Sequence, residues 1–198
     1  MRIITQKQIE ERLELHKNGL SDIEIAEKLN MTKNGIRTWR KNLKLPPNRF
    51  KKPIRIKEIS EKDKIYIAGF FDGEGYAGIG YNNRKNDSLC PNIQITNTNK
   101  NVILWIKKAI GISNKIIVHD KKTYKNHKYD YRICITGLND VKYFAEQMID
   151  YCIVKKEILS LVKKFCENKL NKPAHSHFTN EDYKMYEKSR ELNKRGRF

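Results

Sequence analysis

The stretch Tyr66-Ile-Ala-Gly-Phe-Phe-Asp-Gly-Glu-Gly75 joins a helical pattern to a strand pattern, and its residue types are unusual for such a junction. Two acids, Asp72 and Glu74, stand where the helix ends, although the macrodipole disfavours negative charge there. Glycines flank Glu74 on both sides, so the backbone can bend sharply and come close to a ligand. Upstream, Ala68, Gly69 and Gly73 include a small-xxx-small pair, a spacing that lets two helix backbones pack in near contact. Two such helices side by side would bring two Glu74 carboxylates to one place. Paired carboxylates repel, a divalent cation relieves the repulsion, and hard oxygen ligands favour Mg²⁺.

Outward from this junction, residues 60–170 read as a mixed α+β domain. A helix is predicted over roughly Glu61 to Phe71, then strands over Tyr76–Asn83 and Asn92–Thr96. A helix with Val102, Ile103, Ile106 and Ile110 inward follows, then strands over Lys115–His119 and Lys128–Ile135. Helices near Asn139–Tyr151 and Ile153–Asn168 complete an α-β-β-α-β-β-α-α order, the pattern of an antiparallel sheet. The basic tail 171–198 holds one more helix around Glu181–Asn193, expected to be exposed.

Residues 1–45 read as three short helices. The first spans about Thr5 to Lys17 and buries Ile9, Leu13 and His16. Ser21 with Glu24 three residues on makes a capping box for the second. Asn30 suits the left-handed turn, and Thr32 caps the third, Lys33 to Asn42. Ala26 supplies the small contact residue, while Ile25, Leu29, Met31, Ile36 and Trp39 hold the pair together. Residues 46–59 read as a basic linker whose charge, Lys51 and Lys52 included, suggests that it runs along nucleic-acid phosphates.

The 198 residues carry 41 Lys+Arg against 23 Asp+Glu, a formal charge of +18 that calls for a polyanionic partner. Hydrophobic residues make up 38%, enough for a core and too many for wholesale disorder. No apolar run is long enough to span a membrane and no apolar leader opens the sequence, so no membrane partner is expected; with nucleic acid the leading partner, no small-molecule substrate is expected either. Four scattered cysteines with no CxxC pair suit reduced thiols in the cytoplasm, or in an organelle matrix for an organelle-encoded chain.

The Ile67–Gly75 signature, Ile-Ala-Gly-Phe-Phe-Asp-Gly-Glu-Gly, resembles that of the LAGLIDADG homing endonucleases, in its helix-then-strand context. The stretches Thr96–Gly111 and Asp150–Leu159 fit the same family. The resemblance implies an αββαββα core with an antiparallel DNA-binding sheet. It implies metal-dependent phosphodiester hydrolysis at a long pseudo-palindromic double-stranded site, leaving short 3′ overhangs. Glu74 would be the metal-ligating acid, where many relatives have Asp, and the Gly73 carbonyl a neighbouring ligand for Mg²⁺, with Mn²⁺ as substitute. Asn97 falls at a polar position lining the cleavage pocket, and Lys155, or Lys156 one residue on, at a basic position.

A single signature supplies half of a paired-acid site, so a homodimer is expected around Ile65, Ala68, Gly69, Asp72 and Gly73. Strand alternation nominates Tyr76, Asn82, Arg84, Asn92 and Gln94 for reading DNA, with Lys115, His119 and Arg132 from the later pair. Residues 21–40 resemble the helix-turn-helix of site-specific recombinases and repressors, which would place Lys33, Asn34, Arg37 and Arg40 at bases and phosphates. The competing reading is a non-cleaving DNA-binding regulator or an intron-splicing maturase on the same scaffold.

Overall fold

Side-chain caps set the starts of the first three helices. Thr5 and Ser21 each close a capping box, with Gln8 and Glu24 respectively, and Thr32 accepts from the Gly35 N–H. The computed structural model describes residues 5–48, 54–82, 88–119, 129–173 and 176–194. It divides the chain into two units, Met1–Lys52 with Leu170–His177, and Pro53–Lys169 with Phe178–Phe198.

The first unit contains α1 (Gln6–Lys17), α2 (Asp22–Lys28) and α3 (Lys33–Asn42). Asn30 takes the left-handed conformation at φ 48°, as the tight turn between α2 and α3 requires. Ile25, Ala26, Ile36 and Trp39 form the small core, flanked by Leu13, Leu29 and Met31. So small a core needs polar help. Arg40 donates to both Asp22 carboxylate oxygens, at 2.7 and 3.0 Å, and to the Leu45 carbonyl at 2.8 Å. Asn48 donates to the carbonyls of His16 and Leu20, tying the end of the unit back to α1.

The second unit contains α4 (Glu61–Glu74), β1 (Gly75–Asn82), β2 (Ser88–Asn97), α5 (Lys100–Ile110), β3 (Ile117–His119), β4 (Asp130–Thr136), α6 (Leu138–Met148), α7 (Lys156–Leu170) and α8 (Asn180–Lys194). Its four strands lie in the order β1-β2-β4-β3, and every neighbouring pair is antiparallel. Helix α4 runs three residues past its expected end, so that it carries both acids before the chain turns into β1. Gly75 makes the turn: its N–H bonds the Phe71 carbonyl, and a Cβ there would collide with the Phe71 ring.

Alternation along the strands separates two faces. Ala77, Ile79, Ile93, Ile95, Ile133 and Ile135 are buried against the helices, with Phe71, Ile106, Phe144, Leu159 and Phe165 opposite them. The other face carries Tyr76, Gly78, Gly80 and Asn82 from β1, Asn92, Gln94 and Thr96 from β2, and Arg132 and Cys134 from β4.

Two expectations change. Residues 54–59, expected as linker, belong to the second unit. Ile56 and Ile59 are in its core, Arg55 donates to both Asp140 carboxylate oxygens, and Ile59 N–H reaches Gln147 Oε1 at 2.7 Å. The tail helix α8 is not a solvated appendage, because Met185 and Ser189 are buried and it lies along β1. The spacing Met185, Ser189 and Leu192 is helical, but the sequence carries no sign of which surface this short stripe meets.

Candidate functional site

The C-terminal end of α4 concentrates the chain's signature chemistry. Glu74 is the last helical residue and exposed, and its carboxylate makes no hydrogen bond or ion pair among the described residues. The Gly73 carbonyl lies in the same last turn, where no intrahelical donor follows. A free carboxylate beside a terminal carbonyl is a hard-oxygen pair suited to Mg²⁺ or Mn²⁺. Among the described residues, no cluster of three or more His, Cys, Asp or Glu side chains could hold a metal within one chain.

Asp72 points the other way. Its carboxylate accepts from the backbone N–H groups of Ile153, Val154 and Lys155 at 2.7, 3.2 and 2.9 Å. Burial alone would raise this carboxyl, but those three bonds and the Lys155 charge outweigh it and hold Asp72 below the ordinary carboxylate value. Lys155 Nζ returns to the Asp72 carbonyl at 2.7 Å and sits over the Phe71 ring. Of the two candidate lysines, Lys155 is thus held against Asp72, two residues before Glu74, whereas Lys156 opens α7 in solvent. Asn97 ends β2 just beyond the Gly75↔Ile95 pairing, and its Oδ1 accepts from the Asn99 N–H at 2.8 Å.

One face of α4 is bare. Ile65 is 62% exposed, Gly69 and Gly73 follow at four-residue steps, and a Cβ at either glycine would meet nothing within 4 Å. At the end of this helix the loop pinned by Asp72 presents Ile153, 88% exposed, and Val154, 73% exposed. Sequence reasoning missed these two, which read as the start of an amphipathic helix.

Three expected site residues are corrected. Ala68 is fully buried on the core side of α4, where its carbonyl receives the Cys152 thiol, so it does not lie on the bare face. The Asp72 side chain is committed to the Ile153–Lys155 backbone and not to that face. Arg40 is 6% exposed and consumed by Asp22 and Leu45, so it braces α3 and does not face a partner.

A family model for a LAGLIDADG-like domain matches residues 61–148. These residues are a LAGLIDADG-like domain. The match begins at α4 and ends with α6, so the first unit, α7 and α8 lie outside it. An archaeal intron-encoded homing endonuclease solved with DNA, I-Vdi141I, is similar at 25% identity, over 68% of this chain and 84% of its own, with a TM-score of 0.50. The homing endonuclease I-CvuI, solved with its target in the presence of calcium, is 16% identical over 68% of this chain and 79% of its own, TM-score 0.47. The group I intron-encoded I-CeuI, solved with DNA, is 14% identical over 85% and 76%, TM-score 0.44. No curated protein sequence matches the chain.

On the LAGLIDADG-like domain, the polar face of the sheet gathers several residues nominated from sequence. The register sets Tyr76 opposite Gln94 and Gln94 opposite Cys134, then Gly78 opposite Asn92, and Thr96 opposite Arg132. Arg132 Nε donates to Thr96 Oγ1 at 3.1 Å, which holds the guanidinium over the sheet. Lys115 is exposed just before β3, and His119 ends β3 opposite Asp130. Lys51, Lys52 and Arg84 lie outside the described residues. In the first unit Lys33, Asn34 and Arg37 are all exposed on α3, and Lys41 extends the same basic surface. No helix among the described residues is long and apolar enough to cross a membrane.

Proposed function

We propose that this chain is a sequence-specific double-strand DNA endonuclease that works as a homodimer, with the polar face of each sheet on the duplex. The single observation that carries this reading is the pairing of Glu74 with the bare Ile65–Gly69–Gly73 face of α4. Two α4 helices packed along those glycines approach closely, and their ends bring two Glu74 carboxylates together over the DNA. The Glu74 carboxylate and the Gly73 carbonyl of each protomer would hold Mg²⁺, or Mn²⁺ in its place. A divalent cation bound there supplies Lewis-acid polarisation of a phosphate oxygen and neutralises the paired acids.

The protein's own residues do the rest. Asp72 fixes the loop that carries Lys155, and the Lys155 ammonium offsets the negative end of α4 close to Glu74. Asn97 lies at the strand end beside this site as a polar lining group. Gln94 and Asn92 can address adenine edges and Arg132 guanine, while Tyr76, Asn82, Lys115 and His119 border that surface. On the first unit, Lys33, Asn34 and Arg37 form a second reading head that lengthens the target. The +18 charge supplies the sequence-independent attraction to phosphates.

A library of randomised duplexes incubated with purified protein and Mg²⁺ tests the reading. Recovery of cut molecules with one shared pseudo-palindromic sequence supports it, and Glu74→Gln should abolish cutting while leaving binding intact. Tight, selective binding with no cutting under Mg²⁺ or Mn²⁺ would instead favour a regulator or maturase.

A further inference from the structure

Helix α8 lies outside the family match and takes an ordered place against edge strand β1. Ser189 Oγ accepts from the Ile79 N–H at 3.0 Å, and Asn193 Nδ2 donates to the Ala77 carbonyl at 3.0 Å. Four residues advance a helix by about 6 Å and two advance a strand by about 6.6 Å, so the two elements run antiparallel in step. The N-terminal end of α8 is locked by the fully buried Asp182, which has Lys169 of α7 3.9 Å away.

The flanks of α8 are distinguishable by what they touch. On one side Lys188 lies 3.8 Å from Glu157 of α7, in the helical layer beneath the sheet. The other side meets the polar face. A Cβ built on Gly78 points to that face and would lie 3.3 Å from Asn193 Nδ2, beside the Tyr76 hydroxyl. Burial first, and the neighbouring Tyr186 hydroxyl second, hold the Tyr76 phenol above its ordinary value, in keeping with a shared seam. Tyr186, Arg190 and Lys194 follow at four-residue steps on this flank. The Arg190 guanidinium lies 5.7 Å from the Tyr186 ring centroid, and both cations are exposed.

We propose that α8 is part of the nucleic-acid surface: its Tyr186–Arg190–Lys194 row widens the polar sheet face beyond β1 and binds the sugar-phosphate backbone of duplex DNA. Arg190 and Lys194 contact phosphates, and Tyr186 orients the Arg190 guanidinium. The inference rests on the reading of the sheet face as the DNA surface. Charge selects the occupant, since the row carries two cations and no acid, on a chain that is strongly basic overall.

The test is binding of a mixed-sequence duplex of about 30 base pairs to the full chain, by fluorescence anisotropy across a potassium chloride series. Removal of two phosphate contacts should lower the slope of log affinity against log salt by about 1.8 for each bound protomer, about 3.6 for a bound dimer. R190Q/K194Q is expected to show that loss. K184Q/K188Q removes the same charge from the other flank and is expected to keep the wild-type slope. Equal loss in both double variants, or an unchanged slope in R190Q/K194Q, overturns the proposal and leaves the sheet reading intact. Failure of the wild type to bind the duplex overturns both. DNA protection of Arg190 from phenylglyoxal in the unmutated protein gives a second readout, and full reactivity in the complex would also overturn the proposal.

Discussion

Asp72 and Lys155 hold each other at two points. The Lys155 backbone N–H donates to Asp72 Oδ1 at 2.9 Å, and the Lys155 ammonium donates to the Asp72 carbonyl at 2.7 Å. One residue pair thus closes the end of α4, fixes the loop before α7 and leaves Glu74 as the acid that faces outward. The two acids of the signature differ in their surroundings: Asp72 is spent on structure, and Glu74 is exposed with no partner among the described residues.

The Asp72 duty has a pH signature. Its carboxyl titrates below the ordinary value when folded, because three backbone N–H groups and Lys155 outweigh its partial burial. The unfolded chain takes up that proton near pH 3.9, while the folded one resists until lower pH. The stabilisation is therefore complete above about pH 5 and fades as pH falls through the folded value. Urea denaturation should show Asp72→Asn less stable than wild type by about 1–3 kcal/mol at pH 7. The gap should shrink in strong acid; a gap independent of pH would contradict this account.

Gly69→Leu separates association from folding. The position is helical with open space around it in one protomer, so the variant should fold, with the intrinsic helix gain of about 1 kcal/mol over glycine. In the proposed homodimer a leucine there would keep the two α4 backbones apart. Sedimentation is expected to show at least a tenfold weaker dimer, and cutting should fall with it although Glu74 is untouched.

Cysteine reactivity maps the sheet face. Burial first, then the neighbouring Asp72 charge, pushes the Cys152 thiol up to about 12, and burial raises Cys166 to about 12 as well. Both should resist iodoacetamide at neutral pH until the protein unfolds. Cys90 is exposed on β2, so it should react first. DNA bound on the polar face should slow alkylation of Cys90 and of half-buried Cys134; mass spectrometry with unchanged rates in the complex would put the duplex elsewhere.

The first unit distinguishes a brace from a reader. Arg40→Gln leaves the partly buried Asp22 without its cation, at a cost of about 2–3 kcal/mol, enough to lower the melting temperature of so small a core. Lys33→Gln and Arg37→Gln alter exposed residues and should weaken DNA binding with no change in melting temperature. Circular dichroism melts beside anisotropy titrations check both.

The sequence alone determined the local structure and the signature. The capping residues Ser21 and Thr32, the turn at Asn30, the apolar spacing of Ile103, Ile106 and Ile110, and the glycines around Glu74 act within a few residues of chain, and each is legible there. Tertiary structure decided which side of each helix became core. Arg40 and Ala68 have the composition of contact residues, yet both face inward because their partners, Asp22 and the Cys152 loop, lie 18 and 84 residues away in sequence. Ile153 and Val154 became a bare surface because Asp72 holds their backbone, and α8 found the β1 edge through Ser189 and Asn193, more than 100 residues from their donor and acceptor respectively. Periodicity reports that a face is apolar. Only the packed chain says what that face meets.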